Sequence, residues 1–128
     1  LREVGGVRAV TDVTGYALAG HGWEMAERAA GRFRIDTGAL PLYPGARDAA
    51  SRGVRTGGDA RNRAAVGAHV SIDAGVDPAF DIIAFDPQTS GGLLAAVDPS
   101  VAATLTASGS PFTVIGEVVD GAPGVQLI

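Results

Sequence analysis

Glycine and proline interrupt this chain so often that no regular element can run far: 19 glycines and seven prolines stand among 128 residues, with no internal repeat or low-complexity linker. Such punctuation favours short strands and helices layered over a shared core rather than a bundle of long helices. Residues 7–10 read as a buried strand. After the polar turn Thr11-Asp12-Val13-Thr14-Gly15, the positions Leu18, Gly22, Met25 and Ala29 recur at helical spacing, with Gly31 as the stop. His21, Glu24 and Arg28 fall on another face of that helix, which is expected to meet water. Residues 32–36 and 69–73 alternate as half-buried strands, with Phe33 and Ile35 on one face. Residues 91–97 and 112–119 read as apolar and branched strands, and 125–128 as a last short one. Residues 44–52 suggest a short helix ending at Gly53, and the turn 57–63 feeds another. Asp77-Pro78 and Asp98-Pro99 each read as an N-cap followed by a first-turn proline, because aspartate accepts orphan amide bonds and proline has none to donate. Val101 and Leu105 form the expected inward pair of the second helix, closed by Gly109. About five strands among four helices describe an α+β or α/β layered domain over residues 1–128, with mixed strand directions expected over a purely parallel sheet.

Composition removes several function classes. With 46% apolar and 19% charged residues and a mean hydropathy of +0.21, the chain carries material for a core. It has no cysteine, which excludes a disulfide scaffold, a thiolate zinc site and a thiol nucleophile within this chain. All ten basic residues are arginine, so no lysine serves a Schiff base or a Walker-type phosphate contact. The net charge of −4 argues against a duplex-binding surface, and no nucleic-acid partner is expected. Charge is unevenly spread: residues 1–63 hold ten arginines and seven acids, residues 64–128 seven acids and no arginine. The longest apolar run, residues 93–97, is far below the roughly 20 residues of a membrane span. Arg2, Glu3, Arg8 and Asp12 leave no apolar run for a secretory signal. A first residue of Leu suggests a processed chain or a piece of a longer protein.

Three segments could carry chemistry. In the first, residues 11–15, a helix N-terminus would attract an anion at Thr14 or Gly15, with a magnesium ion bridging Asp12 and a phosphate; the plainer reading is that Thr14 or Asp12 caps the helix. In the second, Asp86-Pro87-Gln88-Thr89-Ser90-Gly91-Gly92 could present amides and hydroxyls to an oxyanion or form a satisfied turn. The third is rich in arginine. There Arg47 and Arg52 read as a solvated face, while Asn62 and Arg63, following a glycine-rich turn, are better anion-binding candidates. His21 and His69 lack partners at metal-ligand spacing and read as structural, as does Trp23.

These motifs together resemble the C-terminal domain of the selenophosphate synthetase (selenide, water dikinase) family, within the aminoimidazole ribonucleotide synthetase superfamily. The matching text is residues 11–21, Ala39-Leu40-Pro41-Leu42 with Pro44-Gly45-Ala46, Gly58 with Arg61-Asn62-Arg63, residues 85–94, and Val114-Ile115-Gly116-Glu117-Val118, in order over nearly the whole chain. The resemblance implies that superfamily's C-terminal fold, an α+β fold with a mixed β-sheet flanked by helices, and an ATP-dependent conversion of selenide and water to selenophosphate, AMP and orthophosphate. It makes Asp12 a magnesium ligand, in preference to a cap, and places Thr11, Thr14, Gly15, Asn62, Gln88, Thr89 and Ser90 near the phosphates. It also implies Mg2+ and ATP as cofactors, a cytoplasmic homodimer when intact, and an N-terminal ATP-binding domain, holding the reactive cysteine or selenocysteine and an essential lysine, that this chain lacks. The chain itself is then expected to hold no catalytic residue and to be inactive alone. Where the family has Phe-Gly this sequence has Tyr16-Ala17, and the larger alanine is expected to tighten the helix start without touching Asp12. The alternatives are a purine- or thiamine-pathway member of the superfamily, or a noncatalytic anion-binding or assembly module.

Overall fold

A computed structural model describes residues 5–107, 109 and 111–128; Arg2 and Glu3 of the polar N-terminus lie outside the described residues. Strand β1 (Val7–Asp12) pairs antiparallel with β4 (Leu93–Val97) in a two-stranded ribbon, with Asp12 opposite Leu93. The other sheet has the order β3 (Val70–Ile72), β6 (Gly124–Leu127), β2 (Arg32–Ile35), β5 (Gly116–Val119). There β2 runs parallel to β6 and antiparallel to β5, and β3 runs parallel to β6, so the expected mixture of directions is present.

The helices are α1 (Ala17–Ala29), α2 (Ala46–Ser51), α3 (Asp59–Val66), α4 (Pro78–Phe85) and α5 (Pro99–Ala107). Helix α1 lies on β6 and also meets α3 and α4. It comes close because Gly22 offers no side chain: a Cβ there would stand 3.2 Å from Val125 Cγ2. Ala19, Ile35, Ala84, Phe85, Val125 and Leu127 form the main core beneath it. Met25, Ala26, Phe33 and Leu94 form a second cluster that joins the ribbon to the sheet. The buried Phe33 and Ile35 confirm the alternation read in β2.

Several boundaries differ from expectation. Six strands and five α-helices occur among the described residues, one more of each than the sequence count. Thr11 and Asp12 belong to β1, so the polar turn begins at Val13. Leu93 is 57% exposed although it opens an apolar strand, because a two-stranded ribbon has only one covered face. Ordered pairing in the 112–119 segment starts only at Gly116, where a Cβ would lie 2.0 Å from the Arg34 carbonyl oxygen. His69 ends a 3-10 turn instead of opening β3.

Helix α1 ends at Ala29, two residues before Gly31. Ala30 adopts φ +51°, and its N–H donates to the Glu27 carbonyl at 3.3 Å while the Gly31 N–H donates to that of Ala26 at 3.1 Å. These are the two bonds of a Schellman ending, with alanine at the left-handed position. Gly31 instead lies close against β5, where a Cβ would meet Val118 Cγ1 at 3.3 Å. Ala29, expected to face inward, is exposed. The Asp77-Pro78 expectation holds: the Asp77 carboxylate accepts from the Ala79 N–H at 2.9 Å. The Asp98 carboxylate, by contrast, accepts two hydrogen bonds from Arg8 across the ribbon.

Arginines of the first half meet acids of the second. Arg8–Asp98, Arg34–Glu117, Arg47–Asp77 and Arg63–Asp81 all cross the division at residue 63. No helix of the described residues is long and apolar enough to cross a membrane.

Candidate functional site

The three chemistry-bearing segments, distant in sequence, come together at one end of the ribbon. The turn after β1 is fastened to the loop before β4 by two backbone bonds, Val13 N–H to Gly92 carbonyl at 2.9 Å and Gln88 N–H to Thr14 carbonyl at 3.0 Å. Gly91 permits this contact: a Cβ there would sit 1.9 Å from the Val13 carbonyl oxygen. The start of α3 closes on the same loop, where a Cβ on Gly58 would meet Pro87 Cγ at 2.3 Å and the Thr56 hydroxyl donates to Asp86 Oδ1 at 2.8 Å.

Asn62 fastens all three. Buried in α3, it donates its amide protons to the carbonyls of Gly15 at 3.0 Å and Phe85 at 3.1 Å. Both protons are therefore committed to backbone, and Asn62 acts on the turn's geometry. Arg63 is committed as well: it hydrogen-bonds Asp59 and Asp81 and lies with its guanidinium 4.3 Å from the Phe85 ring centroid. The anion-binding expectation for Arg63 is thus replaced by a bracing role. Burial pushes the Asp59 carboxyl up, but hydrogen bonds from Arg63 and Arg55 outweigh this and hold it below the usual carboxylate range.

What remains open at the mouth is mostly what the motifs contain. Asp12 is exposed at the end of β1, and among the described residues no cation or hydrogen-bond donor pairs with its carboxylate. No group of three or more His, Cys, Asp or Glu that could cage a metal occurs among the described residues. A single free carboxylate does not fit an all-protein metal cage, but it fits magnesium, which takes one or two carboxylates and completes its shell with water and phosphate oxygens. Thr11 donates to the Asp12 carbonyl at 3.3 Å. Gly15 is exposed, and nothing lies within 4 Å of where its Cβ would be. Gln88 turns its side chain back to the Asp86 carbonyl at 3.1 Å, while Thr89 and Ser90 are exposed.

Neither Thr14 nor Asp12 caps α1; Tyr16 holds the cap position without a side-chain bond, and Ala17 follows at φ +63°. The Thr14 hydroxyl instead stands 3.1 Å from His21 Nε2, and His21 Nδ1 stands 3.1 Å from Glu24 Oε2. His21, expected on a wetted face, is buried, with the Tyr16 ring edge-on at 5.8 Å between centroids. The sequence reading missed this chain of contacts. Its signal was the i, i+3 spacing of His21 and Glu24, with small Gly20 and Gly22 flanking the histidine. His69 stacks on Trp23 at 3.7 Å, the structural role expected of both.

The sequence profile described as AIR synthase related protein, C-terminal domain matches residues 1–128. The chain is 43% identical over 122 residues to a selenide, water dikinase of Nitratidesulfovibrio vulgaris (strain DSM 19637 / Miyazaki F), covering 92% of this chain and 35% of the relative. It is 42% identical over 130 residues to one from Pseudomonas straminea, covering 98% of this chain and 36% of that protein. It thus spans about a third of the length of these curated relatives. Among solved structures, E. coli HypE, a hydrogenase maturation protein, superposes with a TM-score of 0.66 at 24% identity, over 99% of this chain and 33% of that one, a likeness of fold. With the whole chain matched by that profile, this protein belongs to the family of AIR synthase related proteins, as a C-terminal domain of that family.

Proposed function

We propose that the chain is the C-terminal part of an ATP-dependent selenophosphate synthetase, which makes selenophosphate, AMP and orthophosphate from selenide, ATP and water. The observation that carries this reading is the convergence of residues 11–15, 56–62 and 86–92 beside an exposed Asp12 whose carboxylate has no partner among the described residues. The curated relatives named selenide, water dikinase supply the reaction class.

In this reading Asp12 would hold a magnesium ion, which when bound would supply neutralisation of phosphate charge on ATP. Gly15, with open space above its backbone, lets a phosphate approach the turn. The exposed hydroxyls of Thr89 and Ser90 provide donors on the opposite lip, with Thr11 beside Asp12. Gln88 contributes through the backbone bond that holds its loop to Thr14, and Asn62 positions Gly15 rather than touching phosphate. The chain supplies no nucleophile and one metal carboxylate, so it is inactive alone and completed by an ATP-binding domain, in a cytoplasmic homodimer.

The test is Asp12→Asn in the full-length protein carrying this chain, followed by selenide-dependent AMP formation over a magnesium titration. A loss of turnover of at least about tenfold, with a raised magnesium requirement, is expected, since even outer partners of metal sites act on that scale. Unchanged turnover and metal requirement would refute the proposal, and a purine-pathway substrate preferred over selenide would move the chain to another branch.

A further inference from the structure

Thr14, His21 and Glu24 form a line of two 3.1 Å contacts that begins at the site and ends at the surface. The His21 side chain is 9% exposed, and that of Glu24 is 49% exposed. A carboxylate only accepts hydrogen bonds, so Nδ1 must carry the proton that meets Glu24 Oε2. In the neutral ring Nε2 is then a bare acceptor, and the Thr14 hydroxyl is the group that donates. With its proton turned inward, Thr14 Oγ1 offers anything approaching from the mouth only lone pairs.

We propose that Glu24 and His21 are positioning residues that fix Thr14 Oγ1 as a hydrogen-bond acceptor, directed to water held by a magnesium ion at Asp12 and unable to donate to a phosphate oxygen. The role of Thr14 rests on the magnesium site proposed above; the hydrogen-bonded line does not. It divides the motif's labour. Asp12 and Thr14 serve the hydrated cation, while the phosphate takes its donors from the Gly15 backbone and the facing loop. It also explains why a polar ring is buried three residues before an acid on the same helix: without Glu24 nothing at Nδ1 selects the tautomer that aims the Thr14 proton away from the mouth.

The tautomer is read directly from a long-range proton–nitrogen spectrum of the chain carrying ring-labelled histidine. The sequence has two histidines, and His69→Gln assigns the remaining signal to His21. The Nδ1–H tautomer is expected for His21, and Glu24→Ala, a change at a half-exposed side chain, shifts the tautomer ratio toward Nε2–H by about tenfold, the scale of a hydrogen bond to a charged group. A wild-type ring in the Nε2–H form or as imidazolium, or a ratio that ignores Glu24→Ala, overturns the line. In the full-length protein, Glu24→Ala and Thr14→Val each raise the half-saturating magnesium concentration by about tenfold, and the double variant raises it no further. Additive effects would mean that Glu24 acts otherwise than through Thr14 and would overturn the proposal. The two readings fail separately: an unchanged magnesium requirement in Asp12→Asn removes the site and the role given to Thr14, whereas a wrong tautomer removes the line and leaves the site standing.

Discussion

Ala17 and Ala30 are the non-glycine residues held at positive φ among the described residues, at +63° and +51°. Left-handed backbone costs an L-residue about 1–2 kcal/mol, which glycine does not incur. Glycine in turn loses about 0.5–1 kcal/mol more through the freedom of the unfolded chain. At Ala30, which is exposed, these are the only large terms, and Ala30→Gly is expected to stabilise the protein by about 0.5–1 kcal/mol, or about 2–5 °C in Tm. Ala17 is 0% exposed, so glycine there also gives up a buried methyl group worth about 0.8 kcal/mol. Ala17→Gly is therefore expected to be close to neutral. The pair shares a positive φ and differs in burial, so its difference reports chiefly on the methyl group. Urea unfolding with an unchanged m-value measures both. A destabilised Ala30→Gly, or an Ala17→Gly that gains more than Ala30→Gly, would refute the argument.

Gly91→Ala should disrupt the fastening of the two loops, because its Cβ would occupy space 1.9 Å from the Val13 carbonyl oxygen; a loss of about 1–3 kcal/mol is expected in the same unfolding assay. Asn62→Ala removes two amide donors from buried or half-buried carbonyls and should lower stability by about 1–3 kcal/mol, with faster hydrogen exchange in the 13–16 turn. The Asp59 carboxyl is depressed in the folded state, so its contribution is present above the ordinary carboxylate pKa of about 4 and is lost as pH falls through the lower folded value. Unfolding followed between pH 6 and pH 2 should therefore show a shallower acid-side decline in Asp59→Asn than in the wild type, and identical slopes would contradict the assignment.

Features governed by neighbours in sequence were legible before any coordinates. The Asp77 cap needs only Ala79 two residues on, and the alternation of Phe33 and Ile35 needs only a covered sheet face. Local chemistry also marked the 11–15 and 86–92 segments as unusual, though not that they touch. Their contact depends on the antiparallel register of Asp12 with Leu93 and on an Asn62 clasp 47 residues from Gly15, neither of which leaves a periodic trace. His21 was misplaced for a related reason. Helical spacing set it beside Glu24 and Arg28 as if on a wetted face, whereas Thr14, upstream of the helix, and Tyr16 cover it. The Tyr16-Ala17 departure from the family pattern falls on a residue whose φ of +63° favours glycine, so its cost lies in handedness as well as size.

The order β3-β6-β2-β5 places β6 between two strands that come well before it in sequence. Loss of residues 124–128 would accordingly not trim a border. It would open the middle of the sheet, strip β3 of its neighbour, leave β2 held on one side, and take away Val125 and Leu127, the largest fully enclosed side chains. Because β2 and β3 touch only through β6, the layer beneath α1 closes once residues 124–127 have been added between them, whatever has folded before.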